Sequence, residues 1–278
     1  MPGLVDYSSS RMRELWAVKP GSKVDVTHLD PAETRGLKGG RTAADAASRN
    51  DQAALAELQI RLWAEGKRSL LLILQGTDAS GKDGTIAHVF DGVNPQGTRV
   101  TSFKSPTAEE LAHDFLWRVH RAVPRAGEIG IFNRSHYEDV LVARVRKLVP
   151  KQVWKQRYAD ITAFESLLAQ GGTRILKCCL LISKDEQRQR LEARLKDPQK
   201  RWKFQRGDLE DRALWKEYQA AYSEALTRTS TEAAPWYVIP SDHKWYRDWA
   251  ISRVLIETLT EMDPKYPEPP DLAGITIT

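Results

Sequence analysis

Apolar positions along this chain fall into two patterns, unbroken runs and helical stripes, and the two alternate. The strongest run is 70–74, Leu-Leu-Leu-Ile-Leu, which stops at Gln75 and a glycine. A run of this kind reads as a strand buried on both faces. Runs at 97–103 (GTRVTSF), 130–133 (GIFN, continuing from Glu128 and Ile129), 173–182 (TRILKCCLLI) and 236–239 (WYVI) predict four more strands. Between them apolar residues recur at helical spacing. Residues 42–65 carry Ala54, Leu55, Leu58, Ile60, Leu62 and Trp63 and end at Gly66. A second helix opens at Lys82, with Ile86, Val89 and Phe90 apolar. Further helices are predicted over 108–122, 137–148, 155–169, 184–195 and 245–259. Thr107 stands at the N-cap of the helix at 108–122, with Glu110 at the capping-box position.

Alternating strands and helices predict an α/β fold, three layers (α/β/α) around a five-stranded, mainly parallel sheet. Ligands in such folds bind at the carboxyl ends of the strands. The informative loops therefore follow Gln75, Phe103, Asn133, Ile182 and Ile239. Residues 1–40, rich in turn formers and basic side chains, read as an extended arm, 41–260 as the core, and the proline-rich 261–278 as an extended tail.

The stretch after the first strand, Gly76-Thr77-Asp78-Ala79-Ser80-Gly81-Lys82-Asp83, has the phosphate-loop spacing G-x-x-x-x-G-K between strand and helix. Glycines let the backbone curl until successive N–H groups, Ala79 and Ser80 among them, point into one concavity. The helix N-terminus adds partial positive charge there and Lys82 a full one. The usual Ser or Thr after the lysine is replaced by Asp83, and a second acid, Asp78, lies inside the loop. A carboxylate beside bound phosphates is unfavourable unless a divalent cation lies between them. The loop itself therefore suggests metal-bridged phosphate binding.

Composition adds little against this. The chain has 278 residues, 41% hydrophobic and 28% charged, as an ordinary globular protein does. A net charge of +5 favours an anionic partner without naming one. No stretch approaches the ~18 apolar residues of a membrane span, and residues 1–16 lack an apolar signal core. No membrane association and a cytoplasmic location are expected. The two cysteines, Cys178 and Cys179, are adjacent in an apolar run and read as buried thiols.

Two further segments supply candidate chemistry. The third strand ends at Asn133, where phosphate-loop enzymes place an acid that holds Mg²⁺. Arg134 follows and could fork onto phosphate oxygens. Glu138 and Asp139 open the next helix, where capping alone would also suit them. Residues 194–206, RLKDPQKRWKFQR, hold six basic side chains against one acid, Asp197. Their place after the fourth strand and its helix is that of a closing lid, at about 184–210. A solvated basic turn, or a nucleic-acid patch with Trp202 and Phe204 as stacking platforms, is the alternative. His113, His120 and His136 read as surface or packing histidines, and most of the nine tryptophans as core or interface residues.

The order and spacing of these motifs resemble the polyphosphate kinase 2 family. The resemblance is carried by Gly76-x-Asp78-x-x-Gly81-Lys82-Asp83, then by Ser102-Phe103-Lys104 and Asp114-Phe115-Leu116-Trp117-Arg118. It continues through Phe132-Asn133-Arg134-Ser135-x-Tyr137-Glu138-Asp139-Val140, Trp202-Lys203-Phe204, Trp236-Tyr237-Val238 and Lys244-Trp245-Tyr246-Arg247. It runs from about 58 to 249 and is nearest to the branch called class III, which acts on nucleoside mono- and diphosphates. It implies a P-loop kinase-like core with a basic helical lid, assembled as a homodimer or homotetramer. The implied reaction is reversible transfer of the terminal phosphate of inorganic polyphosphate to AMP or ADP (or GMP or GDP), with Mg²⁺ or Mn²⁺. No nucleic acid is expected as a partner.

Family roles then map onto Asp78, Lys82, Arg134 and Arg194 as catalytic residues. Gly76, Ala79, Ser80, Gly81, Lys82, Asp83, Lys104, Arg118, Asn133, Glu138 and Asp139 are candidates for holding nucleotide and phosphate. Asp78 and Asn133 are the metal candidates, although many relatives carry Asp where Asn133 stands here. The long anionic donor needs a basic track, for which Arg121, Lys200, Arg201 and Lys203 are available. Two other readings remain open: an ATP-dependent nucleotide kinase, and a non-catalytic basic module that binds nucleic acid.

Overall fold

The structure, a computed structural model, describes residues 11–271 and 277. Its strands are β1 (Ser69–Gln75), β2 (Thr98–Ser102), β3 (Ile129–Asn133), β4 (Thr173–Leu181) and β5 (Trp236–Pro240). They form one sheet in the order β2-β3-β1-β4-β5, with every neighbouring pair parallel. From β1 the chain moves to one side for β2 and β3 and to the other for β4 and β5. The topological switch, where ligands of such sheets bind, therefore lies at the carboxyl end of β1.

Eleven helices are present among the described residues: α1 (Met12–Trp16), α2 (Gly40–Glu65), α3 (Lys82–Val89), α4 (Ala108–Leu111), α5 (Trp117–His120), α6 (Val142–Val145), α7 (Lys151–Gln170), α8 (Lys184–Lys196), α9 (Arg206–Ala213), α10 (Trp215–Thr229) and α11 (Lys244–Met262). None is long and apolar enough to cross a membrane.

Two cores sandwich the sheet. Leu71 and Ile73 of β1 join Ile161 and Phe164 of α7 and Tyr222 and Leu226 of α10. Leu70, Leu72 and Leu74 join Leu55 and Leu62 of α2 and Val254 and Leu255 of α11. Full burial of each such side chain contributes about 1.5–3 kcal/mol relative to exposure, which is why this strand carries no polar residue between Ser69 and Gln75. Cys178 and Cys179 fall one into each core, as alternation along a strand requires.

Several elements differ from the sequence pattern. The helix expected over 108–122 is two short ones. The capping box at Thr107 and Glu110 forms, but Asp114 then accepts the Leu116 N–H at 2.9 Å on its side chain and the Trp117 N–H at 3.1 Å on its carbonyl, restarting the helix. The helix expected over 137–148 is a 3₁₀ turn, His136–Asp139, opened by the Ser135 hydroxyl, followed by α6. The arm expected to be extended is partly helical where it is described. The Met12 and Arg13 N–H groups of α1 donate to the Glu257 carboxylate at 2.9 and 3.0 Å. Val18 then donates to Trp236 at 2.8 Å and Ala17 bridges Tyr237 antiparallel, so the arm covers the exposed edge of β5. Residues 263–271 are without helix or strand; residues 1–10 of the arm and 272–276 and 278 of the tail lie outside the described residues.

One buried network anchors the turn after β3. Lys177 of β4, fully buried, donates to Glu165 of α7 at 2.6 Å, to the Tyr137 hydroxyl at 2.9 Å and to the Thr229 carbonyl at 2.6 Å. Tyr137 and His136 also reach Glu165. Lys177→Met leaves that carboxylate buried without its cation, and urea unfolding should show a loss of about 3–5 kcal/mol. Lys177→Met combined with Glu165→Leu should recover much of it. A loss under ~1 kcal/mol in the single variant would show that the pair does not hold this turn.

Candidate active site

β1 and β3 are neighbours in the sheet, so the loops leaving their carboxyl ends lie side by side. The first is the glycine-rich loop. Gly76 has φ +158°, and a Cβ there would sit 2.8 Å from the Leu180 carbonyl oxygen. Gly81 has φ +106°, and a Cβ there would run into the Arg247 guanidinium. Ala79 and Arg134 adopt left-handed backbone, φ +64° and +63°, without being glycine. Such backbone costs on the order of 1–3 kcal/mol and collects at functional sites.

Lys82 folds back into the loop and donates to the carbonyl of Gly76 at 2.7 Å and of Thr77 at 3.3 Å. Burial lowers its pKa to about 8, and the charge of Arg134 pushes the same way, against Asp78, Glu138 and Asp83. Arg134 spans the gap between the two loops. Its guanidinium donates to Asp78 at 2.6 Å and to Glu138 at 3.1 Å. Burial works against that charge, but Glu138 and Asp78 outweigh it and hold the pKa above the ordinary arginine value. Glu138 is fixed in turn by Gln75, at 2.9 Å.

Asp83, the residue that displaces Ser or Thr, accepts from the Asn133 amide at 2.7 Å and from Lys203 at 3.3 Å. It thus ties the start of α3 to the end of β3 and to the 3₁₀ turn Arg201–Lys203. In the same basic region Arg194 lies 3.7 Å from Asp208 of α9. Burial raises the pKa of Asp208, and the charge of Asp78 adds to it.

A narrow cleft, with a free volume of about 20 Å³, opens beside the loop. Asp78, Arg134 and Glu138 form its charged end; Leu141, Val142, Trp215, Tyr218 and Tyr222 line the rest, with Asp211. The α10 residues of this wall are not in the sequence reading, which assigns no element between 211 and 235. Their signal is there: Trp215, Tyr218, Ala221, Tyr222, Ala225 and Leu226 are buried at helical spacing.

Other expected site residues are placed elsewhere. Arg118 is buried, donates to the Lys104 carbonyl at 2.8 Å and lies 3.8 Å from Asp139. Asp139 accepts from Arg157 at 3.1 Å. Lys104, Arg121, Lys200 and Arg201 are exposed. Lys200 pairs with Asp197 at 2.8 Å, and Arg121 stacks over Trp117 at 4.7 Å.

Among the described residues no three His, Cys, Asp or Glu side chains form a group that could hold a metal. A cation here would take much of its shell from water and phosphate. The donors that line the loop are hard oxygens, the Asp78 carboxylate and the buried Thr77 hydroxyl, which has no hydrogen-bond partner among the described residues. That set fits Mg²⁺, which binds through one or two carboxylates plus substrate phosphates.

The polyphosphate kinase 2 (PPK2) family matches residues 40–267. An AMP/ADP-polyphosphate phosphotransferase of Meiothermus ruber is 56% identical over 254 residues, 91% of this chain and 95% of that protein. An ADP-polyphosphate phosphotransferase of Rhodopseudomonas palustris is 47% identical over 77% of this chain and 78% of its own length. The crystal structure of polyphosphate kinase 2 from Arthrobacter aurescens TC1 superposes with a TM-score of 0.90 at 45% identity, covering 94% of this chain and 93% of that one.

The depressed Lys82 pKa gives a pH test of the loop. Below about 8 the free lysine carries its proton; above it the proton must be taken up when phosphate binds. Calorimetric affinity for pyrophosphate should therefore fall by up to ~tenfold per pH unit above that point. Lys82→Arg, which does not titrate, should flatten the profile. A wild-type affinity constant from pH ~7 to ~9.5 would contradict the assignment.

Proposed function

The chain belongs to the polyphosphate kinase 2 family and is a polyphosphate-dependent nucleotide phosphotransferase; on that premise we propose that AMP and ADP are its acceptors and Mg²⁺ its cofactor. The observation that carries the acceptor reading is the cavity, which joins a charged end at Arg134 to an aromatic wall. An aromatic wall suits a base or ribose, and the charged end suits the phosphates that follow it. GMP and GDP fit the same general description and are the competitors in the assay.

Phosphoryl transfer asks little covalent chemistry of the protein. Charge spreads over the oxygens of the transferring group, so catalysis is positioning and neutralisation. Lys82 supplies charge from inside the loop. Arg134 supplies it from the loop after β3, exchanging carboxylate partners for phosphate. Arg194 supplies it from α8, opposite Asp208. The attacking oxygen of the acceptor phosphate is already ionised, so no strong general base is required. Mg²⁺, when bound at Asp78 with Asn133 nearby, would screen the repulsion between the two phosphate chains. Lys203 and the exposed Arg121, Lys200 and Arg201 are the proposed track for polyphosphate. Assembly as a homodimer or homotetramer belongs to the same proposal.

Purified protein with AMP, polyphosphate and Mg²⁺, and no ATP, should produce ADP and then ATP. Lys82→Ala should cut turnover by roughly 10²–10³-fold with the fold intact. Trp215→Ala should raise KM for AMP more than it lowers kcat, by roughly tenfold. Absence of both products, or GMP used well in preference to AMP, would overturn the proposal.

A further inference from the structure

Buried carbonyls need donors, and Lys82 reaches only those of Gly76 and Thr77 in the phosphate loop. The three carbonyls at 78–80 find theirs chiefly on α8. Gln187 donates to Asp78 at 3.0 Å. The buried Arg190 donates to Ala79 at 3.0 Å and to Ser80 at 2.8 Å through one nitrogen. Its second terminal nitrogen donates to Ser241 at 2.6 Å and Asp242 at 3.1 Å, in the loop after β5. Its Nε is held by Glu186 at 2.6 Å. These five contacts match the five donors of a guanidinium. Arg247 of α11 adds a bond to Ser80 at 3.2 Å. Ala79, the residue in left-handed backbone, is thus held through its carbonyl.

We propose that Arg190 is a positioning residue of the transfer reaction. It fixes the carbonyls of Ala79 and Ser80, and so holds the loop in the shape that receives phosphate. Because α8 also carries Arg194 one turn further on, Arg190 bolts the base of the lid to the loop that holds phosphate. It does not touch substrate. A lysine cannot replace it, since one ammonium cannot span four carbonyls on two loops.

This inference rests on the phosphate-loop reading, and its test separates the two. In Arg190→Ala and Arg190→Lys, calorimetric affinity for pyrophosphate should fall ~tenfold or more. With polyphosphate as donor, kcat should fall roughly 10²-fold while KM for AMP changes less than ~threefold. Added guanidinium should restore part of kcat to Arg190→Ala but not to Arg190→Lys, which a general loss of stability would not do. Should Arg190→Ala fail to fold, Gln187→Leu, which removes the donor to Asp78 and the oxygen that accepts from Arg212 at 3.1 Å, should show the same pattern more weakly. Pyrophosphate affinity and kcat within ~threefold of wild type in a folded variant overturn the proposal. A wild type that binds pyrophosphate but transfers nothing from polyphosphate overturns the functional reading instead, while the loss of binding in Arg190→Ala still reports on the clamp.

Discussion

The Arg134 guanidinium joins the loop after β1 to the turn after β3, donating to Asp78 at 2.6 Å and to Glu138 at 3.1 Å. Without it two carboxylates would face one another across the mouth of the phosphate loop, beside a lysine whose burial already weakens its charge. With it the mouth holds a permanent cation on ligands that phosphate oxygens can replace. Carboxylate and phosphate each offer a pair of oxygens that a guanidinium fork can bind. Left-handed backbone at Arg134 places the side chain there, and the buried contacts of Tyr137 and His136 with Glu165 hold the turn that follows.

The rest of the fold makes this bridge possible. A strand apolar on both faces needs helices on both, and the sandwich of α7 and α10 against α2 and α11 provides them. Parallel order then brings the ends of β1 and β3 together. The loop that leaves β1 is held along its length: Lys82 takes the carbonyls of Gly76 and Thr77, and Gln187, Arg190 and Arg247 take those of residues 78–80. Asp83 completes the frame. In place of a hydroxyl it offers a carboxylate that gathers Asn133 and Lys203.

The strands, the loop and its helix were legible because each carries a local signal: an unbroken apolar run, a glycine spacing, a cap. Breaks inside 108–122 and 137–148 were not, because they depend on a single side chain, Asp114 or Ser135, competing for backbone N–H groups. Apolar spacing continues across both breaks. The charged residues of the loop and of the turn after β3 could be read as candidates from motif order. Their partners could not, since the pairings of Arg118 with Asp139 and of Asn133 with Asp83 depend on the distance between elements rather than on spacing. The aromatic wall on α10 combines both cases. Its helical period is visible, but aromatic residues at that period read as core, and only the fold shows that Tyr218 and Tyr222 also border a cavity.

The bridge itself is tested most directly by a double-mutant cycle on turnover with Asp78→Asn and Arg134→Gln, each variant checked for its fold. If the two act as one unit, each single change should lower kcat/KM by roughly 10²-fold or more, and the double variant should be little worse than either. Effects that multiply, with the double variant at roughly the product of the two losses, would show that Asp78 and Arg134 act independently and that the ion pair does not organise the site.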